Sequence, residues 1–152
     1  MFKVSHEPSN EFLGRSGVAG TPLVNVGHDL SGSSVLVVED DAALALDLVA
    51  SLSDANAEVL GPLTDLDEAE RMIETIPCDA VILDLRVGNR NATSFAHLLL
   101  RKRIPFLIYT GYPDSAYLKL DWPGCGILWK PAETSSVIGI LAGLIAWNRQ
   151  EQ

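Results

Sequence analysis

Five short strand-like runs, each followed by a stretch of helical character, constrain this chain more than any other feature. They are Val35-Leu36-Val37-Val38, Ala57-Glu58-Val59-Leu60, Ala80-Val81-Ile82-Leu83, Phe106-Leu107-Ile108-Tyr109 and Gly126-Ile127-Leu128-Trp129. Most are apolar throughout, the pattern of strands buried on both faces. The stretches between them read as helices: Ala42 to Asp54, free of Gly and Pro; Asp65 to Thr75, acidic in its first turn; and Ala92 to Arg103, basic in its last. Both charge placements suit the helix dipole. A shorter, weaker helix is expected over 115–120, and Glu133 to Trp147 closes the pattern. Gly61-Pro62 is expected to stop the second strand. Strand–helix alternation of this kind gives an α/β fold, a (βα)5 doubly wound parallel sheet. Right-handed crossovers favour the flavodoxin-like strand order 2-1-3-4-5.

In such sheets ligands bind beyond the carboxyl ends of the strands, where strand 1 meets strand 3. The residues at those ends are Glu39-Asp40-Asp41 after strand 1, Asp84 after strand 3, Thr110 after strand 4 and Lys130-Pro131 after strand 5. Strand 2, on the far side of strand 1, ends only in Gly61-Pro62. Neighbouring strands lie about 4.8 Å apart, so Asp84 is one step from Asp40 and one from Thr110. Lys130 starts about 10 Å away and needs its full length to arrive. Carboxylates this close repel one another unless protonated or bridged by a cation. Mg²⁺, a hard ion that takes oxygen ligands and shares phosphate oxygens, suits the place. Asp84 is then the expected nucleophile toward phosphorus, with Thr110 and Lys130 neutralising charge on the equatorial oxygens.

Val-Leu-Val-Val-Glu-Asp-Asp, Val-Ile-Leu-Asp-Leu, Tyr-Thr-Gly-Tyr and Leu-Trp-Lys-Pro resemble the four signatures of bacterial response-regulator receiver domains, in family order and at family distances. The resemblance spans residues 34–148 and implies a single-domain phosphoacceptor receiver. It makes Asp84 the phosphoacceptor, Thr110 the switch hydroxyl and Lys130 the phosphate-binding lysine. It also implies that Asp40 ligates Mg²⁺ directly, Glu39 through water, and the Arg86 backbone carbonyl as a further ligand. Asp41 reads instead as a helix N-terminal residue. The resemblance further implies a cis Lys130–Pro131 bond, and a histidine kinase or phosphotransfer protein as partner. Ile-Pro-Phe-Leu-Ile-Tyr-Thr-Gly-Tyr, with Gly-Pro after strand 2, is similar to the FAT GUY receivers found beside HWE-type histidine kinases.

Two positions depart from the family pattern. The usual Met-Pro after the phosphoacceptor is replaced by Leu85-Arg86-Val87-Gly88, and the usual aromatic three residues before the lysine is Ile127. With no ring at 127, a signal has to leave another way, and the segment from Thr110 to Leu120 with the adjoining final helix is the expected route. A phosphorylation-independent binding module of the same fold is the alternative. A phosphatase of the haloacid dehalogenase type would want a second Asp where Arg86 stands, and no G-x-G-x-x-G follows strand 1 to mark a dinucleotide site.

Composition narrows the setting. A net charge of −9 argues against nucleic-acid binding, which wants a basic surface. Cys78 and Cys125 form no C-x-x-C pair, as expected of idle thiols in a reducing compartment. No signal peptide is evident, and the apolar run Val137 to Trp147 is short of the roughly 20 residues that span a bilayer. A cytoplasmic protein without membrane contact is the expectation. His6, His28 and His97 have no mutual metal-ligand spacing. Residues 1–33, rich in Gly, Ser, Asn and Pro, read as an irregular or disordered lead-in with a short helix near Glu11. The last helix is apolar around more than one face. It therefore either carries a partner or homodimer surface or is buried more deeply in its own fold.

Overall fold

In a computed structural model, residues 2–3, 28–111 and 122–152 are described. The elements run β1 (Phe2–Lys3), β2 (Ser34–Val38), α1 (Ala42–Asp54), β3 (Glu58–Leu63), α2 (Leu66–Thr75), β4 (Ala80–Leu83), β5 (Arg86–Val87), β6 (Arg90–Asn91), α3 (Thr93–Lys102), β7 (Phe106–Thr110), β8 (Cys125–Trp129) and α4 (Thr134–Gln150). The main sheet has the order β1-β8-β7-β4-β2-β3, and every pairing in it is parallel. Its five long strands reproduce the expected 2-1-3-4-5 order. The expected helices near Glu11 and over 115–120 lie outside the described residues.

Strand alternation sorts the core into two layers. Leu36 and Val38 turn toward α2 and α3, where Ala69, Phe95 and Leu99 are buried. Val35 and Val37 turn the other way, onto Leu48 and Leu52 of α1 and Leu141 and Leu144 of α4. The starts of α1 and α2 are capped by side chains, whereas those of α3 and α4 are not. Asp41 accepts from the Leu44 N–H at 3.0 Å, and Asp65 from Asp67 at 2.7 Å and Glu68 at 3.2 Å.

Most of the apolar surface of α4 is spent inside the fold. Val137, Ile138, Leu141, Leu144 and Ile145 are buried, while Ile140 and Trp147 are half-buried. His28 packs so closely on Gly139 that a Cβ there would lie 3.1 Å from its Nε2. Within the lead-in, Leu30 is buried and its N–H reaches the Ala55 carbonyl at 2.7 Å, while Phe2 and Lys3 pair with Gly126 and Ile127.

The second strand departs from expectation. Instead of ending at Leu60, β3 continues through Gly61 and a cis Pro62 to Leu63. It lies at the edge of the sheet, where a proline without an N–H is tolerated. The register with β2 slips by one residue, from Leu36↔Leu60 to Val38↔Leu63, forming a bulge. Gly61 takes φ +86°, and a Cβ there would come within 2.8 Å of the Leu63 nitrogen and the Val37 oxygen. Gly32 also has positive φ, +77°, but nothing lies within 4 Å of its Cβ position. Gly61→Ala should therefore destabilise the fold by about 2–4 kcal/mol in urea denaturation, and Gly32→Ala by only about 1–2. Equal losses would contradict the packing assigned to the bulge.

Candidate functional site

The β3 bulge has a direct effect on the end of β2. Leu63, displaced by one position, offers its carbonyl to the Glu39 N–H at 3.1 Å, fixing the chain where β2 gives way to the acidic residues. On the other side of β2, the Asp84 N–H donates to the Val38 carbonyl at 3.1 Å. These backbone bonds set Glu39 and Asp84 side by side, and both are buried, at 2% and 5% exposure. Asp40 beside them is exposed.

Lys130 crosses from β8 past β7 to reach the pair. Its Nζ donates to Glu39 Oε2 at 2.8 Å and to Asp84 Oδ2 at 2.8 Å. The backbone at its base is anchored too, through Lys130 N–H to the Thr110 carbonyl at 2.9 Å. The Lys130–Pro131 bond is cis, as the family resemblance implies. Thr110 is fully buried at the end of β7, two residues beyond Ile108, the partner of Leu83 on β4.

Burial pushes the Glu39 carboxyl above its ordinary range, outweighing the Lys130 and Asp41 hydrogen bonds that pull it down. For Lys130, burial pulls the ammonium pKa down, but its bonds to Asp84 and Glu39 prevail and hold it above the usual value. Both thiols lie away from this chemistry. Burial raises Cys78 to about 11 and Cys125 to about 12, leaving them protonated and unreactive at neutral pH.

One ligand oxygen from each of Glu39, Asp40 and Asp84 falls within 4.8 Å of the others. Oxygens around a single octahedral Mg²⁺ sit about 2.9–4.2 Å apart, so small side-chain adjustments would suffice. The donor set, three carboxylates with no sulfur or imidazole, suits a hard cation.

The segment after Asp84 contains an element that the apolar patterning does not reveal. Arg86–Val87 and Arg90–Asn91 form a two-stranded antiparallel hairpin, turning at Gly88 with φ +60°. A signal was present, since Gly-Asn between two pairing residues is a hairpin-turn dipeptide. The turn closes on the site: the Gly88 N–H donates to Asp40 Oδ2 at 2.9 Å, and the Arg86 N–H to Asp84 Oδ1 at 3.3 Å. Arg90 ties the hairpin to α2 through Asp67 at 2.9 Å. Glu39, Asp40, Asp84 and Lys130 are thus brought into direct contact or near-contact, with the Arg86 backbone alongside. Ile127, where the family pattern has an aromatic ring, is half-buried against the α2–α3 layer.

No protein-family model matches the chain. Among curated proteins it is 30% identical over 107 residues to the transcriptional regulatory protein PdtaR of Mycobacterium tuberculosis, covering 68% of this chain and 52% of that protein. It is 29% identical over 118 residues to protein-glutamate methylesterase/protein-glutamine glutaminase 1 of Caulobacter vibrioides, covering 74% and 34%. The chain thus spans about half the length, or less, of these relatives. Among solved structures, SdrG of Sphingomonas melonis superposes with a TM-score of 0.64 at 28% identity, covering 74% of this chain and 96% of that one. A response regulator receiver protein of Sinorhizobium medicae gives 0.69 at 22% identity, covering 79% and 99%. The fold is that of receiver domains.

If Lys130 is what makes the buried carboxylate pair tolerable, its removal leaves two like charges facing each other. Lys130→Met should cost about 2–3 kcal/mol in urea denaturation at pH 7, toward the low side for a broken buried pair because 22% of the lysine side chain is exposed. The raised Glu39 means that the folded state holds this proton more tightly than the unfolded one. Protonation therefore relieves the strain as pH falls from 7 toward 4.5. The gap between wild type and variant should narrow over that window, and also on adding millimolar Mg²⁺ at pH 7. A gap independent of both would show that the carboxylates do not need the cation.

Proposed function

We propose that this chain is a phosphoacceptor receiver domain, in which Asp84 accepts a phosphoryl group from a histidine kinase or phosphotransfer protein in the presence of Mg²⁺. The observation that carries the reading is the Lys130 ammonium at 2.8 Å from the Asp84 carboxylate, with Glu39 and Asp40 close enough to share one cation with Asp84. The receiver-type fold supports it, as does the sequence similarity to PdtaR and SdrG.

In this reading one Asp84 carboxylate oxygen forms a bond to phosphorus as the bond from phosphorus to the donor's leaving atom breaks, and the leaving group departs with that electron pair. Asp40 and Asp84, with Glu39 through water and the Arg86 carbonyl, would hold the Mg²⁺. When bound, that ion supplies charge neutralisation at the phosphoryl oxygens. Lys130 moves from bridging two carboxylates to pairing with the phosphoryl group, and the Thr110 hydroxyl donates to another of its oxygens. The Gly88 N–H keeps Asp40 turned toward the site throughout.

The finer assignment within this reading is the FAT GUY type of receiver, beside an HWE-type kinase in the cytoplasm, supported by the Ile104 to Tyr112 segment and by Gly61-Pro62. Output passes through protein–protein contacts. Ile127 favours a second reading, a receiver-like module that binds without phosphorylation, because no ring stands at 127 to report the state of Thr110.

Incubation with acetyl phosphate and Mg²⁺, followed by intact mass measurement, separates the two. The expected result is a gain of one phosphoryl group in the wild type and none in Asp84→Asn. Equal modification of that variant would displace Asp84 as the acceptor. No modification of the wild type by either acetyl phosphate or a phosphorylated kinase would favour the binding module.

A further inference from the structure

Tyr109 takes no part in phosphoryl transfer as proposed, yet it touches the arm that carries Lys130 at two places. It is 3% exposed, in the core layer between the sheet and α1 and α4. Its hydroxyl lies 3.2 Å from both the carbonyl oxygen and the nitrogen of Ala132, donating to the first and accepting from the second. A buried tyrosine needs a partner for its hydroxyl, but one backbone bond would have met that need. Here both polar groups of a single residue are taken, two positions after the lysine and immediately before Glu133, where α4 begins. The face of the same ring lies 5.6 Å from Lys130 Nζ, within the range of a cation–π contact.

We infer that Tyr109 is the positioning residue for Lys130, holding the backbone of the lysine arm by its hydroxyl and the ammonium by its ring. The inference rests on the phosphoacceptor reading for its consequence, and on the contacts of Tyr109 with Ala132 and Lys130 for its existence. The physical need is plain. A lysine has four rotatable side-chain bonds and loses much conformational freedom when stretched across two strand spacings. Its polar partners at the far end, Glu39 and Asp84, cannot keep it there during phosphoryl transfer, because the ammonium must then leave them for the phosphoryl oxygens. The ring stays in place through that exchange. The neighbouring Thr110 shares the backbone that Tyr109 fixes, and its carbonyl already holds the Lys130 N–H.

A plain core tyrosine would also destabilise the fold when changed, so the test must separate placement of the lysine from packing. The rate of phosphorylation by acetyl phosphate and Mg²⁺ is measured for Tyr109→Phe and Tyr109→Leu, each with Lys130 intact and in a Lys130→Met background, at a temperature where circular dichroism shows every variant folded. With Lys130 present, Tyr109→Phe should slow the reaction about threefold and Tyr109→Leu about tenfold or more. Without Lys130, neither should lower the remaining rate further, because both act through the absent group. The same fractional loss in both backgrounds, or no loss with Lys130 present, would overturn the inference. Should Tyr109→Leu fail to fold, Tyr109→Phe keeps the ring volume and carries the comparison alone.

A wild type that takes no phosphoryl group would overturn the phosphoacceptor reading instead. The placement of Lys130 is then read without phosphoryl chemistry, from the rate at which an amine-reactive ester labels Lys130, measured by peptide mass. That rate should rise several-fold in the Tyr109 variants, and an unchanged rate would sink the inference.

Discussion

The Lys130 ammonium stands 2.8 Å from Glu39 and 2.8 Å from Asp84, and most of what is distinctive about this molecule depends on that contact. Two carboxylates at 2% and 5% exposure would repel one another and resist losing water. A cation between them removes the first difficulty and offsets part of the second. This cation comes from the opposite end of the sequence, 91 residues from Glu39, so it ties the first long strand to the last. The parallel order of the strands is what makes the reach possible. With β7 between β4 and β8, the gap is about two strand spacings, which an extended lysine can cross and a shorter side chain cannot.

Small backbone devices aim the groups around this contact. The bulge at Gly61 lets Leu63 bond to Glu39, and the hairpin at Gly88 bonds to Asp40. Each uses a glycine with positive φ, and each sits where β2 or β4 hands over to the site. Bulges and tight turns often serve to re-aim residues next to functional positions. Asp41 is turned away to cap α1, which leaves Glu39 and Asp40 as the acidic pair available to the site. The result is a cluster held largely by backbone donors, with its one flexible member, Lys130, held by side chains.

Legibility in the sequence differs between features because their physical causes differ in range. Strand order and most helix limits were readable because short apolar runs and acidic or basic helix ends act locally; α1 falls on 42–54 as its composition indicates, whereas α4 runs on to Gln150, past the expected end at Trp147. The site was readable because strand ends in a parallel sheet converge whatever the loops do. Residues such as Asp84 and Lys130 could be placed by strand count alone. The continuation of β3 past Leu60 was not, since Gly-Pro ordinarily ends a strand, and only its edge position and the bulge make it acceptable. The β5–β6 hairpin has a usable turn signal but strands of two residues each, too short to show a period. The partner of the Tyr109 hydroxyl depends on where the loop after Lys130 lies, which no local pattern encodes. The all-round apolar character of α4 pointed equally to burial and to a partner. Packing on the sheet and α1 accounts for most of it.

The strand-end cluster is proposed to be a phosphoryl site built around Asp84 and a lysine able to change partners. A crystal structure with Mg²⁺ and beryllofluoride tests this most directly, because it reports the acceptor atom, the metal ligands and the lysine together. Beryllofluoride should sit on Asp84, with the metal among Glu39, Asp40 and Asp84, and Lys130 Nζ should have moved from the Asp84 carboxylate to a fluorine. An unmodified Asp84 with Lys130 still bridging it to Glu39, at saturating Mg²⁺ and beryllofluoride, would contradict the proposal.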